Sequence, residues 1–219
     1  MDLHYINEGK KFCPHSIALK PSLRMTIDQW KDVVDVLTDL GCGCINLCVS
    51  RQWPFLRELA DYIRERDRGL SIVSNGYKIS GYDAKYLAGI GTCSISLRVD
   101  CASLNPTKPS PDSFHNAISS IIHIKELSIR TVVFTSVRKN NLGELPILKR
   151  CLSECEVDLW QLLIRPYSIS PDQHLILLEF IRQSKREYID GKPRIEIIYT
   201  NSVPSGRCVH LSERCYPCS

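Results

Sequence analysis

Apolar positions recur along this chain with two alternating periods. From Thr26 they fall at Trp30, Val33, Val34, Leu37 and Leu40, the three- and four-residue spacing of one helix face. This spacing predicts a helix over 26–41, with Thr26 as N-cap and Gly41 as terminator. The run Cys44-Ile45-Asn46-Leu47-Cys48-Val49 then predicts a strand, Pro54 a turn, and Phe55, Leu56, Leu59, Ala60 and Ile63 a second helix. The alternation continues with strands over 70–74, 94–99, 130–137, 159–164 and 195–199. Helices are expected over 82–88, 113–127, 142–152 and 175–189.

Strands separated by helices of this length need crossover connections, so the sheet is expected to be parallel, curved into a barrel or doubly wound. Each strand is short, apolar and rich in β-branched residues, which predicts burial on both faces. Ligands of such sheets bind at the C-terminal strand ends. The alternation opens on a helix after an irregular segment, 1–25, rich in Lys, Pro, His and Ser. A first strand is therefore expected to be missing, leaving a strand edge open to pairing with another chain.

Composition narrows the class. With 219 residues and 43% hydrophobic content the chain can bury one core. No stretch reaches the roughly 18–20 apolar residues of a membrane span, and Met1-Asp2-Leu3-His4-Tyr5 does not begin an export signal. A soluble cytoplasmic protein is expected. The 11 cysteines include Cys48, Cys93 and Cys151 inside apolar patterns, which fits reduced thiols better than a disulfide framework. The net charge of +4 is scattered, with Arg64, Arg66 and Arg68 interleaved with Glu65 and Asp67, so no nucleic-acid stripe is expected.

The tail over 201–219 lacks periodicity and carries Cys208, Cys215 and Cys218. A Cys-x2-Cys pair completed by Cys208 or His210 is compatible with zinc, and an unligated tail is the alternative. His115, His123 and His174 sit on predicted helices, where solvent-facing roles are commoner than catalysis. The proline-rich loop over 105–111 follows a strand and is a candidate for substrate contact.

In order, these segments resemble a radical S-adenosylmethionine (radical SAM) domain of the peptide-modifying type. Thr26-Ile27-Asp28-Gln29-Trp30 and Pro54-Phe55-Leu56 match its first helix and the turn after its next strand. Ile72-Val73-Ser74-Asn75-Gly76 stands where that family ends a strand in Thr-Asn-Gly. Ile95-Ser96-Leu97, Asp100 and the run from Ser113 to Ile118 resemble its Ser-hydrophobic-Asp strand and following helix. Lys139-Asn140-Asn141-Leu142-Gly143-Glu144-Leu145-Pro146 resembles its basic-Asn-Leu-x-x-Leu-Pro turn. The resemblance covers 26–200 and implies an α/β fold, a partial (βα)6 TIM-like barrel. It also implies S-adenosylmethionine and a [4Fe-4S] cluster as cofactors, with Asn75, Gly76, Ser96, Asp100 and Arg51 near the former. In that family a C-terminal extension often holds auxiliary clusters, for which Cys208, Cys215 and Cys218 would be the first ligands.

The departures concern chemistry. The catalytic cluster needs Cys-x3-Cys-x2-Cys after the first strand, three thiolates leaving one iron open. No such spacing occurs; Cys42, Cys44 and Cys48, and Cys151 with Cys155, are expected to be packing residues. The absent loop is expected upstream of Met1, which would then be a cut or a misplaced start. The family's Gly-Gly-Glu-Pro turn is replaced by Ser50-Arg51-Gln52-Trp53-Pro54, where Arg51 and Trp53 would crowd the cofactor unless Arg51 pairs with a carboxylate. Two readings follow: a fragment of an enzyme modifying a peptide or small metabolite, inactive as this chain alone, or a degenerate barrel that binds a peptide or protein. A barrel acting on a phosphate-bearing substrate fits less well, because Arg165-Pro166-Tyr167 offers no Gly-rich loop.

Overall fold

In a computed structural model of the chain, residues 16–21, 24–49, 53–74, 78–100, 111–165, 168–184, 186, 188–189, 192–193 and 196–201 are described. Seven parallel strands follow one another across a single sheet: β1 (Ser16–Leu19), β2 (Cys44–Val49), β3 (Gly69–Ser74), β4 (Ser94–Arg98), β5 (Arg130–Val137), β6 (Leu159–Ile164) and β7 (Glu196–Asn201). Between them run α1 (Ile27–Asp39), α2 (Leu56–Glu65), α3 (Gly81–Gly89), α4 (Pro111–Lys125), α5 (Leu145–Glu154) and α6 (Pro171–Ser184). Strand order equals chain order, so every crossover steps the same way and right-handed connections put all the helices on one face. The result is the expected partial TIM-like barrel.

Two expectations are corrected. The first strand is present: Ser16–Leu19 pairs with Cys44–Leu47 of β2. Its four residues follow a polar segment and are too few to produce a periodic signal, which is why the pattern hid it. The open edge therefore belongs to β1, and β7 forms the other; among the described residues each pairs on one side only.

Burial on both faces also fails, for β2 and β4. Ile45, Leu47 and Val49 are buried while Cys44, Asn46 and Cys48 are half-exposed, and β4 alternates in the same way. Helices cover only the convex face. There the core assembles Ile45, Leu47, Ile72, Ile95, Leu97, Val133 and Trp160 of the strands with Trp30, Val34, Leu59, Ile63, Leu87 and Ile121 of the helices. The concave face is mixed: Asn46, Ser71, Ser94 and Ser96 share it with Val73, Val132, Phe134 and Leu159, and only on β2 and β4 is it half-exposed throughout. Asn46 Nδ2 donates to Ser16 Oγ at 2.6 Å, and Ser94 Oγ to Ser71 Oγ at 3.0 Å.

One device repeats five times. Gly41, Asp67, Gly91, Ser128 and Glu156 all take positive φ immediately after a helix and before the next strand. After each, the following N–H reaches back five residues: Cys42 to Leu37 O, Arg68 to Ile63 O, Thr92 to Leu87 O, Ile129 to Ile124 O and Val157 to Leu152 O. These are Schellman caps, which satisfy terminal carbonyls and turn the chain toward the sheet. They line the N-terminal rim of the strands and leave the opposite rim to longer loops. A left-handed backbone strains a residue with a side chain by roughly 1 kcal/mol. Exposed Glu156→Gly is therefore expected to stabilise the fold by about 0.5–1 kcal/mol and Gly41→Ala to destabilise it by about 1 kcal/mol, both read by urea denaturation.

Candidate functional site

The best-organised part of the C-terminal rim lies where β4, β5 and β6 end. Past β4, Asp100 receives the Arg98 guanidinium on Oδ2, from Nε at 2.7 Å and Nη2 at 2.6 Å. Its Oδ1 accepts the Ser136 backbone N–H at 3.2 Å. Asn141, 3% exposed, closes the loop after β5 onto this strand end. Its Nδ2 donates to Asp100 O at 2.9 Å and Ser136 O at 2.8 Å, and its Oδ1 accepts the Arg138 N–H at 2.7 Å. Below it, Thr135 Oγ1 donates to Val99 O at 2.5 Å and accepts from Trp160 Nε1 at 2.9 Å, tying three strands together inside the core.

Beside this network lies a cavity of about 500 Å³ lined by Ser136, Val137, Arg138, Lys139, Asn140, Arg165 and Ser168. The Lys139 N–H donates to Ser168 O at 3.1 Å, so the loops after β5 and β6 are joined across its wall.

Of the residues singled out by sequence, Asp100 sits in the rim network. Ser96 lies mid-strand on the concave face of β4, registered between Val73 and Val132. Four strand residues separate the two by roughly 13 Å, so they do not form one contact site. Arg51, Asn75, Gly76, Cys208, Cys215 and Cys218 lie outside the described residues, as does the loop over 105–110. Trp53 is turned into the core at 8% exposure, edge-on to Phe55 with ring centres 5.8 Å apart. It therefore does not crowd the rim as expected. His115 and His123 lie on α4, and His174 on α6, among the outer helices.

Cys42 and Cys155 pack in or against the core, whereas Cys44 and Cys48 lie half-exposed on the concave face. Burial pushes the Cys42 and Cys155 thiols up; burial does the same to Cys48, against the opposing effect of Lys20. Cys44 and Cys48 lie about 13 Å apart along β2, too far to share a metal. Among the described residues no three His, Cys, Asp or Glu side chains are grouped to hold one. A catalytic cluster belongs after the first strand, and with β1 located, that position is residues 20–26, Lys-Pro-Ser-Leu-Arg-Met-Thr. This connection offers no thiolate, so the residues after β1 do not fit the cluster.

Arg98, Asn141, Arg138 and Ser168 were not among the sequence-derived site residues, although Asn141 stands within the Lys139-Asn140-Asn141-Leu142 motif. Asn141 and Ser168 reach partners distant in sequence, Asp100 and Lys139, which no local pattern reports.

Solved structures share this architecture. SuiB of Streptococcus suis matches at TM-score 0.58 and 13% identity over 80% of this chain and 43% of its own; it has been solved bound to S-adenosylmethionine and to precursor peptide SuiA. The protein anSMEcpe, solved with AdoMet and a Cp18Cys peptide, matches at TM-score 0.64 and 15% identity over 84% of this chain and 63% of its own. Coproporphyrinogen III oxidase HemN of Escherichia coli, a radical SAM enzyme, matches at TM-score 0.54 and 14% identity over 73% and 45%. The chain shares the α/β barrel fold of these structures. It spans about half the length of those radical SAM fold relatives. The likeness is one of fold, since 3-dehydroquinate dehydratase of Enterococcus faecalis shares the architecture at TM-score 0.51 and 13% identity over 87% and 79%. No family model and no curated protein matches the chain.

Asn141→Ala strands two carbonyls and an N–H and is expected to cost about 2–4 kcal/mol in urea denaturation. Ser96→Ala, on the half-exposed face, should stay within about 0.5 kcal/mol. Because burial raises the Cys48 thiol, its alkylation by iodoacetamide, followed peptide by peptide in the mass spectrometer, should run slower at pH 8 in the folded chain than in urea.

Proposed function

We propose that this chain is a radical SAM-type barrel that has kept a ligand-binding rim and lost cluster chemistry, and that it binds a peptide without cleaving S-adenosylmethionine. The observation that carries this reading is the connection between β1 and α1, seven residues with no cysteine at the place where such barrels anchor their cluster. Without three thiolates no open iron is presented to the cofactor's methionyl group, and the homolytic step has no electron donor.

The rest of the barrel supports a binding role. On β2 and β4 the concave face is half-exposed rather than packed shut, and the rim is held by a network that needs no cofactor: Arg98 and Asn141 fix Asp100. A peptide suits an open groove of this kind, and two of the fold relatives were solved with peptides. Asn75, Gly76, Ser96 and Asp100 would then face the bound ligand instead of a reactive cofactor, with Arg51 close by. Residues 26–200 form the barrel unit in this reading, and Cys208, Cys215 and Cys218 belong to a tail that would take zinc or an auxiliary cluster.

Anaerobic incubation with iron, sulfide, dithionite and S-adenosylmethionine should yield no 5′-deoxyadenosine by liquid chromatography beyond a protein-free control. Catalytic release of 5′-deoxyadenosine would restore the enzyme-fragment reading.

A further inference from the structure

We propose that the cavity at the ends of β5 and β6 is a carboxylate-recognition site, and that its ligand is an acidic segment of peptide; this rests on the binding role given above. Three cationic side chains, Arg138, Lys139 and Arg165, line one opening of about 500 Å³, within the usual range of ligand pockets. Among the described residues no acidic side chain lines it. All three are exposed, and among the described residues none forms an ion pair. Cations that share an opening repel one another, so an anion gains from all three at once.

The backbone around them is fixed. Asn141 holds Arg138 at its N–H, and Lys139 is hydrogen-bonded across to Ser168. Ser168 Oγ, also lining the cavity, is buried without a hydrogen-bond partner among the described residues, so it can donate to a ligand oxygen. The choice of carboxylate over phosphate follows from the loop chemistry. Barrel phosphate sites use backbone N–H groups of glycine-rich loops at a helix start, whereas Arg138 to Asn141 and Arg165 to Ser168 contain no glycine. Long cationic side chains spread along a rim suit charges spaced along an extended chain, and guanidinium groups can pair with carboxylates two-pronged.

The test is fluorescence anisotropy of a fluorescein-labelled Gly-Glu repeat hexapeptide against the whole chain at low salt, with a Gly-Gln repeat as the neutral counterpart. The variant R138Q/K139Q/R165Q is compared with K85Q/R130Q/R150Q, which removes the same charge from exposed positions elsewhere. The Glu peptide should bind the wild type and the control alike and lose roughly tenfold or more in affinity on the triple variant, and the Gln peptide should bind at least tenfold more weakly. Circular dichroism melts should be unchanged for both variants, since every substituted side chain is exposed. The proposal is overturned if both triple variants weaken binding equally, if the two peptides bind alike, or if neither binds. It is also overturned if free glutarate or inorganic phosphate binds more tightly than the peptide, which would make the occupant a small anion. Formation of 5′-deoxyadenosine would refute the non-catalytic reading while leaving this binding result standing.

Discussion

Everything distinctive about this chain follows from the geometry of parallel strands, which can be joined only by a segment that runs back along the sheet. Six such returns in one direction send all the helices to one face and all the strand ends of one kind to one rim. The consequence is a division of roles within a small fold. The convex face and the N-terminal rim hold it together, through the apolar cluster and five identical helix caps. The concave face and the C-terminal rim are left for chemistry or recognition.

On that second rim the interactions are polar and long-range in sequence. Arg98, Asp100, Ser136 and Asn141 join the ends of two strands through hydrogen bonds that a cofactor is not needed to complete. A barrel built to hold a cluster concentrates thiolates just past its first strand. Here that stretch contains a lysine, an arginine and a proline, and burial raises the pKa of the Cys48 thiol on β2. In the reading proposed above, this rim offers positive charge and hydrogen-bond donors to a ligand.

Much of the fold could be read from the sequence because helix and strand periods are local. The helix beginning after Thr26 and the strands at Cys44–Val49 and Leu159–Ile164 were legible to within a residue or two. Ser16–Leu19 was not, because four residues cannot establish a period. The half-exposed face of β2 and β4 was missed for a related reason. Cys, Ser and Asn among branched apolar residues read as small core residues, and only the openness of the barrel makes them a surface. Three caps carry Asp67, Ser128 and Glu156 instead of glycine, so only Gly41 and Gly91 carry the residue that signals such a cap. Of the candidate site, the Asp100 position was legible by resemblance, but two of the residues that hold it, Ser136 and Asn141, come from β5 and the loop after it.

Locating β1 changes the question asked of this chain from what precedes it to what its own first loop can bind. Low-temperature electron paramagnetic resonance of the anaerobically reconstituted, dithionite-reduced chain addresses that loop directly, with and without S-adenosylmethionine. The account predicts no cluster signal that shifts when the cofactor is added, whatever the C-terminal cysteines bind. A [4Fe-4S] signal that changes on addition would contradict it, because only a cluster with an open iron at the barrel mouth responds in that way.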